Sequence, residues 1–570
     1  MNRNPDTRRS SLRSLVLRAA ALLLLVCGLL AAPAWARSRP NCQDVRFPCK
    51  PCDLSCVDSV DNDCLIGPGL AQAEVRLASP FGDHMVLQQG MAVPVWGQAR
   101  PGQRISVSLG SIRKDATAGR DGRWQVRLSG LKTGGPYELI VKGDSSLTIK
   151  DVYVGEVWLC SGQSNMDMTV AREDRYWCGV MNEEQEVKAA DYPLIREFRV
   201  KLTMTDEPQT EAVGQWSVCS PATVGKFSAT AYFFAREIHK KLGVPVGLLT
   251  SSYGASTAQA WMSPKALSSD PLFVPLIEAY VAARKNYDQD ETVKQKYQQD
   301  LIAWEAAREQ AKAEGQPTPR RPKDPNPHQD QHNPSVLYNG MIAPLVPYGI
   351  RGALWYQGES NYPTGHIYAP LMRMLIADWR QAWRQGQFPF LFVQLANHQK
   401  PATEPAGKSD MAPVRDGQLK TLRVRHTGMA VAIDIGDAEN IHPKNKQEIG
   451  RRLGLVAQAL VYRKPVPYSG PLYRGMRIRG SAIQLLFRHT EGGLSCKADK
   501  LTGFAVAGED RQFVWADAKI EGQSVVVSSP QIVRPLAVRY GWADNPPVCL
   551  CNGVGLPASP FRTDDWDLPR

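Results

Sequence analysis

The chain has 570 residues, several times the length of a typical domain of about 100–200 residues, so we expect more than one structural unit. Hydrophobic residues make up 43% and charged residues 22%, which excludes wholesale disorder, a collagen-like repeat and a multi-span membrane protein. The net charge is +12, but five arginines and one aspartate in residues 1–36 account for +4, leaving +8 for the rest. This charge is too dilute to indicate a nucleic-acid-binding protein, and no dense basic stripe with interleaved aromatic residues is present.

The first 36 residues have the pattern of an export signal. Arg8, Arg9, Arg13 and Arg18 precede an apolar run over residues 19–32, and A-W-A follows at residues 34–36. A membrane anchor needs about 20 apolar residues, whereas this run is shorter and ends in the A-x-A pattern of a cleavage site. The sequence therefore predicts a signal peptide at 1–36, a periplasmic or secreted protein, and no membrane span once the signal is removed.

Residues 37–73 form a cysteine-rich leader. Its cysteines are Cys42, Cys49, Cys52, Cys56 and Cys64. A zinc site is the alternative that the C-x-x-C pair suggests, but the cluster contains no histidine and no second C-x-x-C. Disulfides are the simpler explanation in an oxidising compartment, so we predict disulfides here and no bound metal. The mature chain keeps an odd number of cysteines, so at least one is a free thiol or pairs between chains.

The remaining residues follow a β, α/β, β order. Short strands separated by Gly and Pro turns predict a β-sandwich over 74–150. Apolar strands that alternate with helices predict a parallel sheet covered on both faces over 151–464, interrupted by a polar helical insertion at 265–335. Short strands return over 465–570 and predict a second β module. The predicted central strands are 152–159, 244–249, 352–356, 388–395 and 429–435, and the clearest predicted helices are 228–242, 370–385 and 445–463.

Four polar segments follow predicted strands, at the edge where an open α/β sheet binds its ligands. They are C-S-G-Q-S-N-M at 160–166, T-S-S-Y-G-A-S-T at 250–257, W-Y-Q-G-E-S-N at 355–361 and D-I-G-D-A-E-N-I-H-P at 434–443. Each segment alone has an ordinary explanation, such as a helix cap, a β-to-α turn or an exposed loop histidine.

Together the segments contain the groups that acyl transfer requires. Ser164, on a tight turn after a strand, can present its hydroxyl as a nucleophile. Gly254 lets a backbone N–H approach a ligand closely, and Gln357 or Asn361 can donate an amide N–H to an oxyanion. His442 follows an acid-bearing loop, where a nearby carboxylate would orient its imidazole.

Several well-known motifs are missing from the sequence. It has no G-x-x-x-x-G-K-[ST] and no G-x-G-x-x-G at a strand end, which argues against a nucleotide-phosphate site. It also lacks the G-x-S-x-G elbow, which argues against an ordinary α/β-hydrolase.

Three stretches resemble the sialate O-acetylesterase family of SGNH hydrolases. They are GEVWLCSGQSNM at 155–166, GALWYQGESN at 352–361 and IHPKNKQ at 441–447. Stretches at 79–96 and 537–563 are also similar, so the resemblance covers roughly residues 75 to 564. It implies an α/β fold with a flavodoxin-like parallel sheet, which we expect to be flanked by β-sandwich-type modules, no metal or other cofactor, and removal of acetyl esters from sugars.

The resemblance also assigns roles to individual residues. Ser164 matches the family's nucleophile and His442 its general base. Gly254 and Gln357 match the oxyanion positions, with Gln357 chosen over Asn361 within its segment.

The triad acid is less clear from the resemblance. The family pattern places it three residues before the histidine, usually as Asp, and here that position is Glu439. Asp437 is the competing candidate.

We therefore predict a secreted serine esterase that removes O-acetyl groups from glycans. The residues expected to contact the acetylated carbohydrate are Asn165, Tyr253, Tyr356 and Asn361. The four segments contain no arginine for the carboxylate of sialic acid, while aromatic residues beside them suit a neutral glycan unless they serve only as core. Plant hemicellulose is thus the preferred substrate, followed by sialic acid; the alternatives are a non-catalytic glycan-binding protein and a lipase-like GDSL esterase.

Overall fold

The computed structural model describes residues 74–173 and 175–568. The predicted signal peptide and cysteine-rich leader lie outside these described residues. Within the described ranges, no helix combines the length and the apolar character needed to cross a membrane.

The described residues form several β-sheets and a set of helices, a mixed α/β fold as predicted. In chain order the strands are β1 (Arg76–Leu77), β2 (Val86–Gln88), β3 (Val93–Gln98), β4 (Arg104–Leu109), β5 (Ile112–Thr117), β6 (Arg123–Leu128), β7 (Gly134–Lys142), β8 (Ser146–Gly162), β9 (Ile195–Val200), β10 (Gly214–Val218), β11 (Val246–Ser252), β12 (Gly352–Tyr356), β13 (Phe390–Gln394), β14 (Thr427–Val431), β15 (Leu472–Arg479), β16 (Ala482–Arg488), β17 (Leu494–Cys496), β18 (Phe504–Ala507), β19 (Phe513–Trp515), β20 (Asp517–Glu521), β21 (Ser524–Ser528), β22 (Ala537–Tyr540), β23 (Leu550–Asn552) and β24 (Phe561–Arg562). The α-helices are α1 (Ser164–Asp167), α2 (Glu183–Lys188), α3 (Ala229–Leu242), α4 (Pro264–Ser268), α5 (Val274–Gln289), α6 (Glu291–Ala313), α7 (Tyr368–Trp383), α8 (Met411–Thr421) and α9 (Lys446–Leu460).

The largest sheet contains a central row of strands in the order β10-β9-β11-β8-β12-β13-β14. Every neighbouring pair in this row is parallel except β9 and β10. Strands β11, β12 and β13 are buried along their whole length, the pattern of a parallel sheet covered on both faces. The central strands predicted from apolar runs are confirmed, with ends that differ by a few residues.

The three clearest predicted helices are also confirmed, as α3, α7 and α9. Helix α3 begins where the Ser228 side chain accepts a hydrogen bond from the backbone of Ala231, and it ends at Gly243 with φ of 66°. Helix α9 begins in the same way, because the Asn445 side chain accepts from the backbone N–H of Glu448. The predicted polar insertion is helical as well and contains α5 and α6.

Strand β8 is 17 residues long and takes part in two regions of sheet. Its first part pairs with β7 and β2, and its last seven residues pair with β11. One apolar core includes residues from both regions. The domain boundary predicted between residues 150 and 151 therefore falls inside a strand.

The C-terminal strands have an apolar core of their own, built from residues between Ile483 and Phe561. A disulfide joins Cys496 in β17 to Cys549, just before β23. Four other cysteines have no disulfide partner within the described residues, and all four are buried: Cys160, Cys178, Cys219 and Cys551.

Candidate active site

The first three predicted segments begin at one edge of the central sheet. Gly162, the last residue of β8, is in register with Ser252 of β11 and with Tyr356 of β12. Gly162 has φ of 140°, and a Cβ atom at this position would collide with the carbonyl oxygen of Tyr356. Only glycine lets the two strand ends approach this closely, and this approach brings the segments together.

Ser164 and His442, predicted as nucleophile and base, are in contact. Ser164 is the first residue of α1 and has 8% of its surface exposed. The Nε2 atom of His442 lies 2.8 Å from the Oγ atom of Ser164. The backbone N–H of His442 donates to Oδ1 of Asn440 at 2.9 Å, which fixes the end of the loop between β14 and α9. A serine hydroxyl this close to an imidazole can be deprotonated as it attacks an ester.

The surroundings of His442 favour its neutral form. Burial, followed by the positive charges of Lys446, His398 and Lys444, lowers the pKa of His442 to about 4. The imidazole is therefore unprotonated at neutral pH, the state that can accept the proton of Ser164.

The two candidate acids do not hydrogen-bond the imidazole. Glu439 and Asp437 both have exposed side chains, and the backbone N–H of Glu439 donates to Oδ1 of Asp437 at 2.9 Å. Among the described residues, no carboxylate makes a hydrogen bond or an ion pair with His442. The choice between the two acids therefore stays a prediction.

Sequence reasoning missed an aromatic neighbour of the histidine. The half-buried ring of Trp177 lies 4.9 Å from the His442 ring, centroid to centroid, with 31° between the two planes. The guanidinium of Arg175 lies 4.8 Å from the centroid of the same indole. The only signal for this contact is an aromatic pair, Tyr176 and Trp177, in a charged loop after the first segment.

The backbone N–H groups of Ser164 and Gly254, next to the nucleophile, have no acceptor within the described part of the chain. A methyl group at Gly254 would lie 3.6 Å from the Cβ atom of Ser164, so the two residues are neighbours. This placement fits the oxyanion role predicted for Gly254.

The side-chain amides of Gln357 and Asn361 both have hydrogen-bond partners within the protein. The amide of Gln357 is fully buried and donates both hydrogens, to the carbonyl oxygen of Ser256 at 3.0 Å and to Oδ1 of Asn361 at 2.8 Å. The amide of Asn361 donates to Gln259 and Thr364. In this arrangement the two side chains connect two loops of the site, and their predicted roles as oxyanion donor and glycan contact stay predictions.

Asn165, predicted to contact substrate, is the centre of a buried hydrogen-bond network. Its Nδ2 donates to Oε1 of Glu359 at 2.6 Å and to the carbonyl oxygen of Ile441 at 3.1 Å. Its Oδ1 accepts from Nζ of Lys446 at 2.8 Å, and the same amine donates to the carbonyl oxygen of Pro443. Burial lowers the pKa of Lys446 to about 7 and raises that of Glu359. The network ties the residue after the nucleophile to both sides of His442.

Most of the aromatic residues near the segments belong to the core. Trp261, Trp355 and Tyr356 have no exposed surface, and the contact between Tyr356 and substrate stays a prediction. Tyr253 is half-buried and directly precedes Gly254, so its predicted role is compatible with its position. No cluster of three or more His, Cys, Asp or Glu side chains that could hold a metal ion occurs in 74–173 or 175–568.

Comparison with known proteins shows to which family the chain belongs. A family model described as "Carbohydrate esterase, sialic acid-specific acetylesterase" matches residues 329–459. The chain is 30% identical to the sialate O-acetylesterase of Mus musculus over 533 residues, which covers 85% of this chain and 94% of the mouse protein. The chain belongs to the sialate O-acetylesterase family.

Other members and a solved structure agree with this sialate O-acetylesterase family assignment. The human sialate O-acetylesterase is 30% identical over 435 residues, covering 70% of this chain and 73% of the human protein. The structure of a carbohydrate acetylesterase from Xanthomonas citri matches with a TM-score of 0.72 and 34% identity, over 86% of this chain and 100% of that one. This member of the family is a carbohydrate O-acetylesterase, which sets aside the alternative of a non-catalytic glycan-binding protein.

Proposed function

We propose that the protein is an exported serine esterase that removes O-acetyl groups from glycans through an acetyl-enzyme on Ser164. The observation that carries this proposal is the 2.8 Å contact between Nε2 of His442 and Oγ of Ser164. The two residues come from different motifs of the sequence and meet at the edge of the central sheet.

The mechanism follows from the groups around this contact. Neutral His442 takes the proton of Ser164 while Oγ attacks the acetyl carbonyl, and the N–H groups of Ser164 and Gly254 stabilise the oxyanion. The imidazolium then gives its proton to the sugar oxygen as the ester bond breaks. Water, deprotonated by His442, attacks the acetyl-enzyme in the second half of the reaction. The imidazolium returns this proton to Oγ of Ser164 as the acyl bond breaks and acetate leaves.

Glu439 is the proposed orienting acid. An imidazolium forms during each half of the reaction, and a carboxylate nearby would stabilise it. Glu439 is at the family's position, while a carboxylate oxygen of Asp437 is already engaged by the backbone of Glu439. Within the described residues Glu439 makes no ion pair, so its side chain can turn toward the histidine.

We also propose a flavodoxin-like scaffold for the site. When β9 and β10 are set aside, the sheet order β11-β8-β12-β13-β14 is second, first, third, fourth and fifth along the chain. This is the order of flavodoxin-like sheets, whose ligands bind beyond the carboxyl ends of the strands. The β-strand regions on either side, over 74–150 and 465–570, are proposed as accessory modules of the enzyme.

The proposed location is outside the cytoplasm, in the periplasm or the medium. The export pattern at 1–36 supports it. The disulfide between Cys496 and Cys549 supports it independently, because disulfides persist in oxidising compartments.

For the substrate we propose a neutral acetylated glycan, with plant hemicellulose ahead of sialic acid. Two arginines near the site are already paired with a carboxylate. Arg175 and Arg199 both pair with Asp167, at 2.7 and 2.5 Å. A dedicated site for the carboxylate of sialic acid would hold an unpaired cation instead.

The test is acetate release measured side by side on O-acetylated hemicellulose oligosaccharides, O-acetylated sialic acid and an aryl acetate. We expect the highest kcat/KM on the hemicellulose fragments. In the Ser164→Ala variant we expect kcat on the aryl acetate to fall by at least about a thousandfold. Ser161→Ala is the matched control, because the Ser161 hydroxyl is buried and has no hydrogen-bond partner.

The outcomes separate the parts of this proposal. A Ser164→Ala variant that keeps more than about a tenth of the activity would rule out the acetyl-enzyme. A much higher kcat/KM on the sialate would overturn the hemicellulose preference alone. Activity confined to long-chain esters would favour the lipase-like alternative.

A further inference from the structure

The loop after α1 contacts the general base through its tryptophan. The ring of Trp177 faces the ring of His442 at 4.9 Å, with the planes only 31° from parallel. Arg175 contacts the same indole through its guanidinium at 4.8 Å. An aromatic ring in this position covers one side of the imidazole and limits its rotation.

The same loop is anchored to the helix that carries the nucleophile. Nη1 of Arg175 pairs with Oδ2 of Asp167 at 2.7 Å, and the Asp167 side chain is 13% exposed. Asp167 ends the short helix that begins at Ser164. The contacts therefore run from the nucleophile's helix through Arg175 and Trp177 to the base.

We propose that Trp177, held in place by the Arg175–Asp167 ion pair, is a positioning residue that orients the imidazole of His442 toward Ser164. This inference rests on the proposed function, in which His442 is the general base. Glu439 and Asp437 do not hydrogen-bond the imidazole. The contact with the indole of Trp177 is therefore the contact that restricts the imidazole ring on the side of the loop after α1. By covering the imidazole, Trp177 also shields His442 from water.

The shielding of His442 by Trp177 should affect the pKa of the imidazole, which can be measured by titration. The groups that face His442 are Lys446 at the start of α9, Lys444 before it, His398 after β13, and the hydroxyl of Ser164. Burial is the largest cause of the low pKa of His442, ahead of these charges. Removing the indole admits water to the imidazole, so the pKa of His442 should rise from about 4 toward its ordinary value of 6.5.

The experiment compares Trp177→Ala, Trp177→Phe and Tyr176→Ala in the full-length protein. The readouts are kcat and KM on an aryl acetate from pH 3.5 to 8, and the His442 pKa from NMR titration of the imidazole. For Trp177→Ala we expect kcat to fall about tenfold to a hundredfold, since small losses of alignment cost this much. We also expect the acidic limb of the pH profile to shift to higher pH.

Two control variants make the result specific. Trp177→Phe keeps an aromatic ring and should restore most of the rate and the position of the acidic limb. Tyr176 is the adjacent residue and is 78% exposed, so Tyr176→Ala should behave like the wild type. If Trp177→Ala does not fold, Trp177→Leu takes its place, because leucine fills the site without an aromatic face.

The inference and the proposed function fail in different ways. Activity that survives in His442→Ala would refute His442 as the base and with it the proposed mechanism. If His442→Ala is inactive but Trp177→Ala keeps the wild-type kcat and acidic limb, only the positioning role is refuted. Equal losses in Trp177→Ala and Trp177→Phe, with no change in the acidic limb, would likewise overturn it.

Discussion

Lys446 donates a hydrogen bond of 2.8 Å to the side chain of Asn165, although 281 residues separate them in the sequence. Asn165 follows the nucleophile, and Lys446 is the first residue of the helix after His442. The bond therefore fixes the distance between the two halves of the site. The amine that makes it is completely buried.

Replacing Lys446 by Met should loosen this connection. The variant leaves Oδ1 of Asn165 and the carbonyl oxygen of Pro443 without their donor, so we expect the free energy of unfolding to fall by about 1–3 kcal/mol. kcat should fall with it, because the alignment of Ser164 and His442 depends on both anchors. Urea denaturation and aryl acetate turnover measure the two effects, and Lys241→Met, which removes an exposed amine on α3, is the control.

The wild type and Lys446→Met should differ in how their free energy of unfolding depends on pH. The pKa of Lys446 is lowered from 10.5 to about 7 in the folded state, so between these values the unfolded chain binds more protons. The wild type should therefore gain stability relative to Lys446→Met as the pH rises from about 7 toward 10.5. A stability difference that stays constant over this range would show that Lys446 is not buried as a depressed amine.

The wild-type enzyme should keep its activity well into the acidic range. His442 acts in its neutral form, and its pKa is lowered to about 4, so kcat/KM should fall only as the pH drops toward this value. A pH profile on an aryl acetate, with circular dichroism at each pH as a check on folding, gives the midpoint. A midpoint near 6.5 would mean that His442 is solvated, or that Glu439 already pairs with it in the free enzyme.

The assignment of the acid predicts an unequal effect of two neighbouring substitutions. Glu439→Gln removes the proposed partner of the imidazolium, whereas Asp437→Asn removes a side chain that accepts from the loop backbone. We expect the larger loss of kcat, about tenfold or more, in Glu439→Gln. The reverse order would assign the acid to Asp437, and two small effects would leave the serine and histidine working without an acid.

Gln357 gives a prediction that distinguishes a structural amide from an oxyanion donor. Removing an oxyanion donor typically lowers kcat by about a hundredfold to a thousandfold without unfolding the enzyme. Gln357→Leu should instead lower the melting temperature, because Ser256 and Asn361 lose their donor. The folded fraction should retain kcat within about tenfold of the wild type, and a larger drop at unchanged stability would support the oxyanion role.

The sequence allowed the meeting of Ser164 and His442 to be predicted because each follows an apolar strand. Parallel strands end at the same edge of a sheet, so residues after β8 and β14 were expected to converge there. Side-chain direction could not be predicted in the same way. Whether the amides of Gln357 and Asn165 point into the cleft or into the protein depends on their partners, which come from distant segments.

Trp177 shows a different limit of sequence reasoning. Its contact with His442 joins a loop after α1 to a loop after β14, and neither loop has a periodic pattern that predicts its path. The continuity of β8 was missed for a related reason. The change from short strands to alternating strands and helices is real, but it marks a change of neighbours along one strand.

That single strand determines which shortened versions of the enzyme can be made. A cut at residue 151 would remove β2, β7 and the first part of β8, and would expose apolar side chains of the remaining β8 residues that β2 and β7 cover. The remaining part of β8, which leads to Ser164, would then begin without its neighbouring strands. Engineers who want a smaller esterase, or who want to exchange its N-terminal region for another, should therefore place the junction before Glu74 or retain the whole region.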